Sequence, residues 1–192
     1  MNFLAHFYLS GEEEGLLLGN YLGDFLRGAE LKSLSPEVER GVQLHRAIDE
    51  FTDAHALVRH SQAVLKPILG RYVPVAVDVI YDHFLALFWK EFHEDELQDF
   101  ANSIYLFLDD HYEHLNDRAK RFLGYIKHNN ILYNYQFEEG MRRVFEGLNY
   151  RARFKTKLLQ AVDGMIQHQE ELENDFRIFF PQLKAHVDSF KS

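Results

Sequence analysis

Residues 41–55 read GVQLHRAIDEFTDAH, and this stretch decides the fold class. His45, Asp49 and Asp53 recur every four residues, with Val38, Val42, Ile48 and Thr52 flanking them, which is the spacing of one face of an α-helix. The two-residue alternation of a half-buried strand is absent here. The same face therefore carries both carbon and ionisable groups, and that combination needs a chemical reason.

Working outward, apolar residues recur at three and four along nearly the whole chain, which predicts an all-α protein folded as a single compact multi-helix domain over residues 1–192. Helices are expected at about 2–9, 13–27, 36–53, 56–69, 74–92, 95–115, 117–128, 134–148 and 154–179. Ser35-Pro36-Glu37 supplies an N-cap, a proline at the first helical position and an acid in the first turn. Ser10 and Glu13 have the spacing of a capping box. Gly70 and Pro74 bracket a turn, and Pro181 is expected to interrupt the last helix.

Composition narrows the function classes. The 192 residues include 46% hydrophobic side chains and no cysteine, so a thiolate metal site, a cysteine nucleophile and a disulfide framework are excluded. The start, MNFLAHFYLSGEEE, lacks the basic segment of a secretory signal. The longest apolar run, VPVAVDVIYDHFLALFW, is broken by Asp78, Asp82 and His83, which argues against a membrane span. A soluble, cytoplasmic protein is expected. A net charge of −9 argues against nucleic-acid binding, yet residues 118–157 hold ten Lys or Arg against three Glu.

The polar intrusions recur. Asp78 and Asp82 share a line with Val75, Leu85 and Trp89, and His83 sits on the neighbouring edge. Asn20 and Asp24 are four apart beside Leu17, Tyr21 and Phe25, as are Asn2 and His6. A buried carboxylate without a partner costs several kcal/mol, of order ~5. A divalent cation would compensate the whole set, and mixed His and Asp donors suit Mn²⁺, Fe²⁺ or Zn²⁺ better than Ca²⁺. The alternative is separate pairing with Arg27, Arg46, Arg59 or Arg71. No His-Glu-x-x-His, Glu-x-x-His or phosphate-binding glycine loop occurs.

The segments MNFLAHFYLS, GNYLGDFLRG, GVQLHRAIDEFTDAH and VIYDHFLALFW, in that order, resemble the bacterial acyl carrier protein phosphodiesterases. That family is similar to the HD-type metal-dependent phosphohydrolases, so the resemblance implies an HD-phosphohydrolase-like helical fold. It also implies hydrolysis of 4′-phosphopantetheine from the serine of holo acyl carrier protein, with Mn²⁺ as the ion and Mg²⁺ or Fe²⁺ as alternatives. No His-Asp dipeptide is present, so the standard ligand pair does not transfer. The resemblance assigns metal ligation to Asp24, His45, Asp49 and Asp82, with His6 and His83 as ligands or proton-transfer groups. Asp53 and His55 would orient the ligands or cap the helix.

Arg46, adjacent to His45, is the expected phosphate contact, with Arg27 second, because a planar guanidinium matches phosphate oxygens. The acidic carrier protein is expected to dock on Arg142, Arg143, Arg151, Arg153, Lys155 and Lys157. The competing readings are an HD-type hydrolase acting on a nucleotide or other small phosphoester, and a non-catalytic helical module.

Overall fold

The computed structural model describes residues 1–152 and 156–192, and every regular element among them is helical. In chain order these are α1 (Phe3–Ser10), α2 (Glu14–Leu22), α3 (Pro36–Ala54), α4 (Ala56–Leu69), α5 (Val73–Leu87), α6 (Trp89–Phe92), α7 (Leu97–Asp110), α8 (Asp117–His128), α9 (Ile131–Asn134), α10 (Glu138–Arg151), α11 (Ala161–Gln167) and α12 (Gln169–Lys191). Short 3₁₀ turns join several of them, including Gly28–Ser33 between α2 and α3.

α5 is the axis of the molecule. Eleven of its side chains are buried, on all faces, as expected of a helix enclosed by others. It carries α1 on one side, α10 on another, and α4 and α12 on a third. Phe84 from α5 meets Phe176 from α12, with Phe179 and Phe180 fully buried beside them. Each such ring contributes about 1.5–3 kcal/mol on burial. That burial explains why Pro181 does not interrupt α12 as expected. Pro181 is exposed, so the hydrogen bond it cannot make faces water, and the buried stripe of Phe176, Phe180, Leu183 and Val187 holds the helix through it.

Other boundaries shift for local reasons. The expected 13–27 helix stops at Leu22, and 74–92 divides at Phe88 into α5 and α6. The 134–148 segment begins instead at Glu138, after the short α9; the segment expected at 154–179 starts on residues outside those described, makes a 3₁₀ turn at Leu158–Gln160 and is α-helical from Ala161 with a break at His168. Ser35 caps α3 through Val38 N–H with Pro36 behind it, as read. Ser10 is not a cap. It closes α1 with its hydroxyl turned inward, and α2 starts at Glu13 without side-chain capping.

α2 and α3 cross closely because glycines leave no side chain between them. A Cβ on Gly19 would lie 2.1 Å from the Val38 carbonyl oxygen, and one on Gly41 would lie 2.7 Å from Gly19 Cα. One turn further along, a Cβ on Gly23 would lie 2.4 Å from His45 Cγ. The crossing thus seats the His45 ring against the end of α2.

Candidate functional site

The site is built where α1, α2 and α3 meet. Asn20, buried on α2, donates from Nδ2 to the His6 carbonyl at 3.0 Å and to Ser10 Oγ at 2.8 Å. Ser10 in turn donates to the His6 carbonyl at 2.8 Å. Both Nδ2 protons being used, Asn20 Oδ1 is the acceptor facing the two imidazoles, 2.8 Å from His6 Nδ1 and 3.1 Å from His45 Nδ1. An acceptor there places a proton on each Nδ1 and turns both Nε2 lone pairs the other way. They turn toward one carboxylate: His6 Nε2 is 3.2 Å from Asp49 Oδ1, and His45 Nε2 is 3.2 Å from Asp49 Oδ2. The rings stack at 4.4 Å, and Asp24 Oδ1 completes the edge 3.7 Å from His45 Nε2.

Two lone pairs aimed at an anion repel unless something positive lies between them. Burial lowers the pKa of His6. Burial acts the same way on His45, but the hydrogen bond and charge of Asp49, with Asp24 behind, outweigh it and raise that imidazole. Burial pushes Asp49 up, and the hydrogen bonds from His45 and His6 prevail and hold it well below the usual carboxylate range. A proton or a cation between the imidazoles and Asp49 relieves that repulsion, and the trio has the donors to hold a cation. Ligand atoms of His6, His45 and Asp49 all lie within 4.8 Å of one another. Two ligands about 2.1 Å from a common ion sit roughly 3.0–3.4 Å apart; each imidazole Nε2 stands 3.2 Å from its own Asp49 oxygen, and Asp24 is slightly further out, 3.7 Å from His45 Nε2. The buried amide that orients both rings is the outer partner that metal-binding histidines require. The residues fit a divalent cation.

This cluster opens on a cavity of about 650 Å³. Its polar end carries His6, Asp24, His45, Asp49, Asp53 and Asp78, with Asp78 held 2.9 Å from the Met1 amino group. The opposite wall is apolar, built from Phe122, Tyr125 and Ile126 of α8, Ile131 of α9, and Val144 and Leu148 of α10. Phe3, Phe25 and Phe122 pack together at the join, the Phe122 ring tilted against the other two, with the Phe3 and Phe122 centroids 4.3 Å apart and those of Phe25 and Phe122 5.5 Å apart. Arg151, the last residue of α10, is the one Lys or Arg side chain among the described residues lining the cavity.

Of the expected site residues, the fold brings His6, Asp24, His45 and Asp49 together and places the others elsewhere. Asp82 is fully buried, and its carboxylate accepts from the backbone N–H groups of Asn2, Leu4 and Ala5 at 3.1, 2.7 and 3.4 Å. It caps α1 from α5, and burial pushes its pKa up to about 7 despite those bonds. His83 donates from Nδ1 to the Tyr135 carbonyl at 2.6 Å, and burial lowers it. Arg46 is exposed, because the residue beside His45 points about 100° away around the helix; Arg27 is exposed too, and neither lines the cavity. Asp53 lines it, while His55 caps α4 through Leu57 N–H.

The basic stretch is partly neutralised. Arg118 pairs with Glu30, Lys127 with Asp109, Arg142 with Asp163 at 2.8 Å and Arg143 with Glu139 at 3.5 Å. Arg153 and Lys155 lie outside the described residues. Sequence reasoning noted Asn20 without its role and gave Arg151 only to docking. The signal for Arg151 was its spacing from Val144 and Leu148, seven and three residues away, which puts it on the cavity face of α10.

The family profile described as acyl carrier protein phosphodiesterase matches residues 1–183. Proteins named acyl carrier protein phosphodiesterase are similar over nearly the full length: one from Yersinia pestis is 30% identical over 184 residues, 95% of each chain. Another from Escherichia coli is 31% identical over 194 residues, 97% of each chain. No solved structure matches.

Proposed function

The chain belongs to the acyl carrier protein phosphodiesterase family and is a hydrolase, and on that premise we propose that it removes 4′-phosphopantetheine from the serine of holo acyl carrier protein to leave the apo protein. The ligands of the divalent cation, Mn²⁺ first, are His6, His45, Asp49 and Asp24. One observation carries the reading: Asn20 Oδ1 turns both Nε2 lone pairs onto Asp49 at the polar end of a cavity whose other wall is apolar. The His-and-Asp set without a His-Asp dipeptide makes the chain a non-canonical relative of HD-type phosphohydrolases, working in the cytoplasm.

The reaction adds water to phosphorus, breaks the bond to the serine oxygen, and returns a proton to that oxygen. When bound, the cation supplies Lewis-acid polarisation of the phosphoryl oxygens and makes water more acidic. The protein's own part is preorganisation. Asn20 locks the imidazole tautomers, Asp49 ties the two rings, and Gly23 leaves the space that His45 occupies. The uncharged pantetheine arm lies along Phe25, Phe122, Tyr125 and Leu148, where burial of its apolar surface gives binding energy remote from the reacting phosphorus.

The test is the mass of purified holo acyl carrier protein incubated with the protein and Mn²⁺. Loss of the phosphopantetheinyl group is expected, with chelation stopping it and readdition of Mn²⁺ restoring it. His45→Ala and Asp49→Ala should lose turnover by at least about 10²-fold while keeping a cooperative melt. An unchanged carrier-protein mass with Mn²⁺, Mg²⁺ and Fe²⁺ in turn would refute the reading.

A further inference from the structure

We propose that Arg151 contacts the substrate phosphate in this site. The proposal rests on the phosphodiesterase reading above and adds to it the residue that meets the anion. The cavity presents four carboxylates, Asp24, Asp49, Asp53 and Asp78, against the Met1 amino group that already holds Asp78 and a single guanidinium. A divalent ion offsets two of those charges, and a phosphodiester brings one more negative charge with it. Without a positive side chain on the facing wall, the site would repel its own substrate.

Arg151 is placed for that task by α10. Val144, Leu148 and Arg151 line the cavity in one stripe, so the guanidinium stands at the end of the apolar wall. Its Nε donates to the Gly147 carbonyl at 3.3 Å, which fixes the stem and uses one of five N–H donors. No carboxylate lies within ion-pair distance of it among the described residues, whereas Arg118, Arg142 and Arg177 are each held by acids. The charge is also felt inside: it opposes the upward shift that burial imposes on Tyr135, a cavity-lining residue. A planar fork with free donors, unpaired and lining the same cavity as an acidic cluster fit to hold a cation, is matched to the oxygens of a phosphate.

The experiment measures inorganic phosphate binding to the Mn²⁺-loaded protein by titration calorimetry, and the KM for bis(p-nitrophenyl) phosphate, in wild type, Arg151→Gln and Arg151→Met. Both substitutions should weaken phosphate binding and raise KM by about 10- to 100-fold, the worth of a hydrogen bond to a charged group. Mn²⁺ affinity should stay within twofold, because Arg151 is not a ligand. Since Arg151 is exposed at a helix end, the melts should match wild type; if Gln disturbs the fold, Met keeps the aliphatic stem and carries the test. Phosphate affinity and KM within twofold of wild type in a folded variant would overturn the proposal. If wild type binds phosphate through Arg151 yet leaves holo carrier protein intact, the phosphodiesterase reading fails and the anion site stands.

Discussion

A carboxylate with no exposed surface persists at Asp82 because three backbone N–H groups at the start of α1 need an acceptor and receive one from α5. The first N–H groups of a helix have no partner within it, and a charged acceptor there is stabilising. Asp82→Asn tests this role. Its Nδ2 cannot accept from the Leu4 N–H now bound to Oδ2, and the loss should cost about 1–3 kcal/mol. Urea denaturation should show a lower midpoint, while the folded variant keeps wild-type Mn²⁺ affinity. An unmoved midpoint together with collapsed Mn²⁺ affinity would make Asp82 a ligand instead. At this scale the sequence marked which residues were anomalous, since each is polar on an apolar stripe. It did not separate two different settings for a carboxylate, a half-exposed Asp49 bridging two imidazoles and a fully buried Asp82 at a helix start. The difference depends on what packs against each from 40 or more residues away.

At the scale of elements, the glycines of GNYLGD have two separate duties. Gly19 lets α2 and α3 touch, and the obstacle to a methyl group there is the Val38 carbonyl at 2.1 Å, a backbone atom that moves only with its helix. A Cβ on Gly23 would meet the His45 side chain at its root, 2.4 Å from Cγ and 2.7 Å from Cβ, so rotating the ring cannot clear it and His45 itself must shift. Gly19→Ala should therefore lower the melting temperature by several degrees, in line with roughly 1–3 kcal/mol of overpacking. Gly23→Ala should also lower the melting temperature, through the buried His45 rather than through the backbone, since Gly23 has right-handed helical angles that alanine adopts freely, and it should in addition lose about tenfold in Mn²⁺ affinity as His45 is displaced. Normal metal affinity in Gly23→Ala would break the link between the crossing and the site. Helix positions and periodicity were readable from spacing alone, and Ser35-Pro36 marked the start of α3. The crossing was not readable, because a pair of glycines four apart signals close approach without naming the partner. The Ser10–Glu13 pair misled for a related reason: a serine that looks like a cap locally was taken up by Asn20 from another helix.

For the whole molecule, the charge pattern must let an acidic enzyme receive an acidic protein. The net −9 is concentrated away from residues 118–157, but ion pairs consume several of those cations, so the docking share within the described residues falls on fewer groups than the sequence suggests. Arg142 holds Asp163 across α10 and α11, and reversing it would disturb packing as well as charge. Lys157 is exposed, and Arg143 is exposed with its acid, Glu139, a solvated neighbour on the same helix at 3.5 Å, a pair worth little; both lie outside the cavity lining, which makes them the cleaner probes. Charge complementarity mainly raises the association rate, and salt weakens it over a Debye length of about 8 Å at physiological ionic strength. The double variant Arg143→Glu and Lys157→Glu should therefore raise the KM for holo acyl carrier protein about three- to tenfold and flatten its salt dependence. Turnover of bis(p-nitrophenyl) phosphate should stay the same, since that small diester enters the cavity without touching the docking face. Equal KM values for the carrier protein in variant and wild type, at both low and moderate salt, would place the docking surface on another face of the molecule.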